Sequence, residues 1–154
     1  MSNLHGVWRA LLALATAGLL SACGGKDQAK TACAVDRGEI PPWATTGFSE
    51  AHPRAPHVVG DDGRITAILF GDPLVAPPDK QRSNKILWVA KDPINAPTDL
   101  KLHAISGDKT VDRVLTSGVG PSIVDLPAGC WQVSLSWAGQ HDTLRLGYAQ
   151  GKPS

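Results

Sequence analysis

The sequence predicts an all-β domain that follows a processed N-terminal leader. After the first 22 residues the apolar runs are short, turn residues separate them, and no long helical periodicity occurs. Glycine and proline are frequent throughout, with 16 and 12 copies in 154 residues. Short apolar runs bounded by such residues are typical of the strands of a sandwich or barrel.

The N-terminus has the organisation of an export signal. Arg9 precedes an uncharged apolar run over residues 10–20. A membrane-spanning helix needs roughly 20 apolar residues, whereas the h-region of a secretory signal has ~7–15. The run ends in Leu20-Ser21-Ala22-Cys23, which resembles the lipobox of bacterial lipoproteins. The alternative is an ordinary cleaved signal peptide with an accidental cysteine.

The lipobox resemblance implies cleavage before Cys23, a diacylglyceryl group on its sulfur and acylation of its freed amine. Several acyl chains matter because one chain binds a membrane only marginally. Residues 1–22 are therefore predicted to be a lipoprotein signal peptide. Residues 23–32 are polar and glycine-led, as expected of a tether, and residues 33–150 form one sandwich domain.

The charge of the mature chain excludes one class of partner. Cleavage after Ala22 would leave 132 residues with 14 basic and 14 acidic side chains, because Arg9 is the only charged residue removed. A nucleic-acid binder would carry a basic excess or stripe. The densest basic stretch, residues 80–85, is expected to be a solvated loop, with an anion or surface contact as the alternative.

The strands can be assigned in chain order. The proline-rich segment 34–60 should contain few regular elements. Strands are predicted over 64–70, after an Asp-Asp-Gly turn, and over 85–91, which is apolar on both faces and should be covered on both. A further strand covers 100–106, with Leu100, Leu102 and Ala104 on one face.

The C-terminal part predicts a hairpin. A short strand near 113–116 and a loop over 118–121 precede it. Residues 131–137 alternate strictly between apolar and polar side chains, as do residues 143–148, and residues 138–142 connect them. Period two indicates strands with one buried and one wet face.

Six or seven short antiparallel strands in one domain indicate an immunoglobulin-like sandwich. The segment 126–131 resembles the corner before a late strand of bacterial immunoglobulin-like domains, with Cys130 and Trp131 where such domains often carry a tyrosine. The antibody spacing of cysteine, tryptophan and cysteine is not met. Cys33 precedes every predicted strand, so an antibody-like core disulfide is not expected.

Cys33 and Cys130 are predicted to form a disulfide. Exported proteins meet an oxidising environment, and lipid on Cys23 leaves an even pair. Two free thiols, one of them reactive, are the alternative. No basic residue or histidine flanks either cysteine to activate it.

Several stretches together resemble a group of uncharacterised bacterial lipoproteins and secreted proteins. They are Cys33-Ala34-Val35, Pro41-Pro42, Lys85-Ile86-Leu87-Trp88-Val89, Gly120-Pro121-Ser122 and Gly129-Cys130-Trp131. The resemblance implies a small extracytoplasmic β domain with no established activity. It supports the fold and the disulfide and leaves the function open.

Several common catalytic and metal-binding motifs are absent from the sequence. There is no Gly-x-Ser-x-Gly elbow and no His-Glu-x-x-His, and the only glutamates, Glu39 and Glu50, lie in the irregular part. His52 and His57 share a loop and could meet. The mature chain, however, has no methionine for a soft copper site. We therefore expect no enzyme activity, no cofactor and no metal site.

The tryptophans allow two interpretations. Trp88, Trp131 and Trp137 could form a sugar-stacking platform, but their strand positions favour a sandwich core. Trp43 lies beside two prolines in a loop and is a weak candidate for ligand binding.

Taken together, the sequence predicts a lipid-anchored, extracytoplasmic module of the cell or outer membrane. Its role would be to bind an envelope protein or a glycan without catalysis, and it should not bind nucleic acid. A small-ligand or carbohydrate binder and a hydrolase accessory or enzyme are the alternatives. A flat apolar patch would favour a protein partner.

Overall fold

The structure is a computed structural model that describes residues 33–78 and 82–151. A 3-10 helix covers Pro42–Ala44. The strands of the described part are β1 His57–Val59, β2 Ile65–Leu69, β3 Leu74–Ala76, β4 Lys85–Ala90, β5 Leu100–Ser106, β6 Lys109–Leu115, β7 Pro121–Ile123, β8 Gly129–Trp137 and β9 Gln140–Gln150.

These strands form two packed sheets, which confirms the all-β sandwich. One sheet has the order β1-β2-β4-β7 and the other has the order β3-β9-β8-β5-β6. The immunoglobulin pattern places strands A, B, E and D in one sheet and G, F, C and C′ in the other. The strands β2-β4-β7 correspond to A-B-E, and β9-β8-β5-β6 correspond to G-F-C-C′.

Among the described strands, pairing is antiparallel except at one place. The short strand β3 pairs in parallel with β9, with Leu74 opposite Tyr148. The predicted antiparallel sandwich therefore has one parallel pair, at this edge. Three residues are too few to show a period, so the strand was not visible in the sequence.

The core lies between the sheets and takes alternate side chains from the long strands. β8 buries Trp131, Val133, Leu135 and Trp137 and turns its polar residues outward. β5 buries Leu100, Leu102 and Ala104 in the same way. The structure thus confirms the faces predicted for both strands. Trp88 of β4 completes the aromatic part of the core.

Coverage of the four-stranded sheet differs from the expectation. β4 buries Ile86 and Trp88, but Leu87 and Val89 on the opposite face remain partly exposed. β2, in contrast, is buried at all five positions. Its outward Ile68 lies opposite the buried His57 of β1. The segment before β1 pairs with β1 through an Asp36–His57 bridge. We infer that this segment covers β2 rather than β4.

Several boundaries also differ from the sequence prediction. β6 begins at Lys109, four residues before the predicted strand, and the predicted loop over 118–121 ends inside β7. The hairpin connection is also shorter than expected, because Trp137 already pairs with Gln140.

Two buried polar side chains join the sheets and their connections. The Asn84 side chain donates to Val75 O at 2.8 Å and accepts from Val75 N at 2.9 Å. Asn84 therefore connects β3 to the chain entering β4. Asp142 accepts backbone N–H groups of Asp62 and Arg64 at 3.0 and 2.8 Å. Such partners are required because a buried polar group without a hydrogen bond is costly.

Candidate functional site

The disulfide between Cys33 and Cys130 is present, with the two Cα atoms 5.8 Å apart. Cys130 lies on β8 between the exposed Gly129 and the buried Trp131, so its side chain faces away from the core. Gly147 of β9 is opposite Cys130, and a Cβ there would approach the Cβ of Cys33 to 3.2 Å. The disulfide therefore fastens the start of the domain to the outer face of the five-stranded sheet.

Cys23, residues 1–22 and the tether lie outside the described residues. Their predicted roles in cleavage and lipid attachment stay predictions. Within residues 33–78 and 82–151, no helix has the length and apolar character needed to cross a membrane.

The three strand tryptophans are core residues rather than a platform. Trp88, Trp131 and Trp137 are all almost completely buried. The indole N–H of Trp131 donates to Pro127 O at 2.7 Å, a bond back to the upstream backbone like that of a tyrosine corner. The indole N–H of Trp88 donates to Ser122 Oγ at 2.9 Å.

Trp43 lies in the 3-10 helix and is half-buried. The five pockets that stand out on the described surface are lined by residues after position 75, and Trp43 contributes to none of them. The structure therefore does not place the weak candidate for ligand binding in a cleft.

The two histidines of the N-terminal segment have separate partners. His52 Nδ1 is 3.3 Å from Glu39 Oε2 on the surface. His57 is buried, and its Nδ1 is 2.8 Å from Ala55 O. Among the described residues, no three histidine, cysteine, aspartate or glutamate side chains are grouped as metal ligands.

The five-stranded sheet carries an exposed polar row. His103 Nδ1 and Asp112 Oδ1 are 2.6 Å apart, and Ser134 lies opposite His103 on β8. Histidine between a carboxylate and a serine is the order of a hydrolase triad, but that chemistry needs the serine within hydrogen-bond reach of the histidine. No such bond to His103 occurs in the described part of the chain. The row is an exposed cross-strand pair beside a serine.

Tyr148 is the described group whose pKa departs most clearly from its ordinary value. Burial, and secondarily the charge of Asp125, raise the pKa of this phenol. Its hydroxyl donates to Val124 O at 2.6 Å inside the core. The group thus holds the end of β9 to the chain after β7, and it faces no cleft.

A groove lies between the edges of two strands. It has a volume of about 600 Å³ and lies between β6, the last strand of one sheet, and β7, the last strand of the other. We call it the edge groove. Its lining residues are Lys85, Val114, Leu115, Thr116, Ser117, Pro121, Ser122 and Ile123.

Apolar side chains are unusually exposed along the edge groove. Val114 and Ile123, one on each wall, are 56% and 59% exposed. Among the described residues that line it, Lys85 is the only charged one. Single exposed apolar residues are common on protein surfaces, whereas a contiguous apolar patch marks an interaction site.

The apolar surface continues onto the outer face of the four-stranded sheet. Ile123 lies opposite Lys85, and Phe70 N donates to Lys85 O at 3.0 Å. Phe70 is 61% exposed, and the Lys85 ammonium lies 5.1 Å from the centre of its ring. Phe70, Lys85 and Ile123 therefore form one row, which we call the outer row.

The backbone of β7 is open on the side of the groove. Trp88 N donates to Gly120 O, and Val124 N donates to Asn84 O. Antiparallel residues exchange bonds at alternate positions, so Ser122 exchanges bonds with Ile86, while Pro121 and Ile123 direct their backbone groups outward. The groove thus offers the N–H of Ile123 and the C=O groups of both residues.

Sequence reasoning missed this groove. The sequence predicts Val114 in a short strand near 113–116 without indicating which strands lie beside it, and it predicts a loop over residues 118–121. The available signal was the proline at Pro121 before two β-compatible residues, since proline is tolerated on edge strands. The meeting of β6 and β7 depends on sheet order, which the sequence does not show.

No family model, curated protein or solved structure matches the chain significantly. The resemblance to uncharacterised lipoproteins therefore stays a prediction.

Proposed function

We propose that this chain is a lipid-anchored, extracytoplasmic module that binds a protein partner of the cell envelope without catalysing a reaction. The observation that carries the proposal is the edge groove, with Val114 and Ile123 exposed on its two walls. The disulfide supports the compartment, because such bonds persist in oxidising environments.

A protein partner fits the groove better than a glycan does. The exposed side chains at the groove are aliphatic, whereas the strand tryptophans that could stack on a sugar ring are in the core. The exposed aromatic residue Phe70 is already covered in part by Lys85.

In-cell photo-crosslinking of the full-length chain tests the binding role. A benzophenone side chain at Val114 should give a discrete crosslinked product in the membrane fraction. The same side chain at Ile105, an exposed residue of the neighbouring strand β5 that does not line the groove, is the matched control. Equal yields from both positions, or no product from Val114, would contradict the proposal.

Lipid attachment is tested separately at Cys23. Cells that express the wild-type chain and are fed a labelled fatty acid should contain label in this protein and retain it in the membrane fraction. Cys23→Ser should remove both, because the residue after the predicted cleavage site carries the acyl chains. Label and membrane association that both persist in the variant would overturn the lipoprotein assignment.

A further inference from the structure

Building on this proposed binding role, we propose that the edge groove accepts an extended segment of the partner, which pairs as an added strand with the open edge of β7. The partner segment has apolar side chains at alternate positions and a carboxylate near Lys85. This mode of recognition uses main-chain hydrogen bonds for affinity and alternate side chains for specificity.

The topology supplies the first argument. An immunoglobulin sandwich carries strand D beside strand E, and β7 is the strand in the E position. Among the described strands none pairs with the outer edge of β7. Five residues connect the end of β6 to β7, too few to contribute a strand. The position beside β7 is therefore open to a strand from another chain.

The hydrogen-bonding groups supply the second argument. Ile123 directs its N–H and C=O outward, and Pro121 adds a C=O but has no N–H. The outer edge of β7 can therefore make three backbone bonds with an added strand. Such a short edge gives binding that is selective through its side chains and limited in strength.

Charge and shape supply the third argument. Alternate side chains of an added strand would enter the space between Ile123 and Val114, where apolar groups are buried favourably. Lys85 is the only charged residue among the described lining residues and lies in the same row as Ile123, so the local charge is positive and favours a carboxylate on the added strand. A basic segment would be repelled.

The test uses the full-length chain in detergent and a displayed library of random 12-residue peptides. We expect the enriched peptides to alternate apolar and polar residues and to contain aspartate or glutamate. A synthetic peptide of the consensus sequence is then the probe for titrations. Failure to enrich such peptides would overturn the proposal.

Ile123→Pro is the decisive variant. It removes the outward N–H without removing a bond to β4, and it repeats the arrangement that Pro121 already has two residues earlier. We expect at least tenfold weaker binding of the consensus peptide. Ile123→Val keeps the N–H and should bind within twofold of the wild type, and Ile105→Lys is a control on the other sheet. Equal binding by Ile123→Pro and Ile123→Val, with both variants folded by circular dichroism, would overturn the proposal.

A charge exchange tests the carboxylate. Lys85→Glu should weaken binding of the consensus peptide. It should strengthen binding of the same peptide with its acidic residue replaced by lysine. If the exchange has no effect on binding, the carboxylate assignment is wrong.

The variant Ile123→Lys distinguishes two other occupants of the groove. If the chain binds phosphatidylglycerol vesicles and this variant alters that binding, the groove contacts a membrane. A dimer that the same variant dissociates in sedimentation would indicate a second copy. Either result overturns strand addition.

The outcomes separate this inference from the proposed function. If benzophenone at Val114 still captures a partner while Ile123→Pro has no effect on the peptide, the binding role stands and strand addition falls. If Val114 captures nothing in cells, the proposed function falls first.

Discussion

Asp142 is the residue whose role was least visible in the sequence. It lies in the segment that we predicted to connect the hairpin strands, where aspartate is common for local backbone reasons. The structure buries it, and its two oxygens accept backbone N–H groups of Asp62, Arg64 and its neighbour Thr143. One side chain thus organises a turn that lies about 80 residues away in the chain.

Asp142→Ala should cost about 3 kcal/mol of stability, because it leaves buried backbone N–H groups without an acceptor. Urea unfolding of a soluble form that starts at residue 24, followed by tryptophan fluorescence, would measure the change. Asp61→Ala is the matched control, since it removes only the exposed ion pair with Arg145, worth about 0.2–1 kcal/mol. Equal losses in the two variants would show that the carboxylate of Asp142 has no special structural role.

Trp137 tests the core beside the turn between β8 and β9, where Trp137 pairs with Gln140. Its side chain is 3% exposed, so Trp137→Ala should cost roughly 3–5 kcal/mol, as other large aromatic truncations do. Gln132→Ala and Ser134→Ala on the outer face should stay within about 0.5 kcal/mol of the wild type. The same urea measurement applies to all three, and an unchanged midpoint for Trp137→Ala would mean that the ring is exposed.

At the scale of single elements, strand length decided what the sequence could predict. β5, β8 and β9 are long enough to show a period of two, and their faces were assigned correctly. Three strands, β1, β3 and β7, have three residues each. They are too short to show a period of two, and they form because neighbouring strands pair with them. Asn84 was assigned to a solvated basic loop because its bonds to Val75 depend on the position of β3.

The hairpin turn between β8 and β9 contains a strained residue. Ala138 and Gly139 have φ values of 44° and 78°, and two positive values in a two-residue loop are typical of a type I′ turn. Alanine is disfavoured in this region, whereas asparagine tolerates it. Ala138→Asn should therefore stabilise the domain by about 0.5–1 kcal/mol.

The urea midpoint of the soluble form would measure the gain from Ala138→Asn. Ala138→Gly relieves the same strain but adds freedom to the unfolded chain, so its gain should be smaller. A lower midpoint for the asparagine variant than for the wild type would contradict this account of the turn.

At the scale of the whole molecule, the sandwich and the disulfide could be predicted, but the candidate site could not. Composition and turn residues report on the fold class, and the number of cysteines reports on pairing. The edge groove arises where the ends of two different sheets meet. The sequence suggested Trp43 as a ligand-binding residue because of its position beside two prolines. Trp43 lines none of the five pockets described above.

The disulfide is the main long-range constraint on the whole chain. Its two cysteines are separated by 97 positions, and closing such a loop reduces the freedom of the unfolded chain. The double variant Cys33→Ser, Cys130→Ser should lose about 2–4 kcal/mol. Its far-UV circular dichroism should still report strands, because the bond lies outside the core. An unchanged urea midpoint under non-reducing conditions would contradict this expectation.

The position of that disulfide also determines how the domain would respond to mechanical force. A pull on the chain before Cys33 passes through the sulfur atoms to β8, so residues 34–129 carry no tension while the bond is intact. β8 is flanked by β5 and β9, and its hydrogen bonds to both would share the load. Reduction of the bond would redirect the same pull to Asp36 and β1, which lies at a sheet edge and can be peeled away one pair at a time.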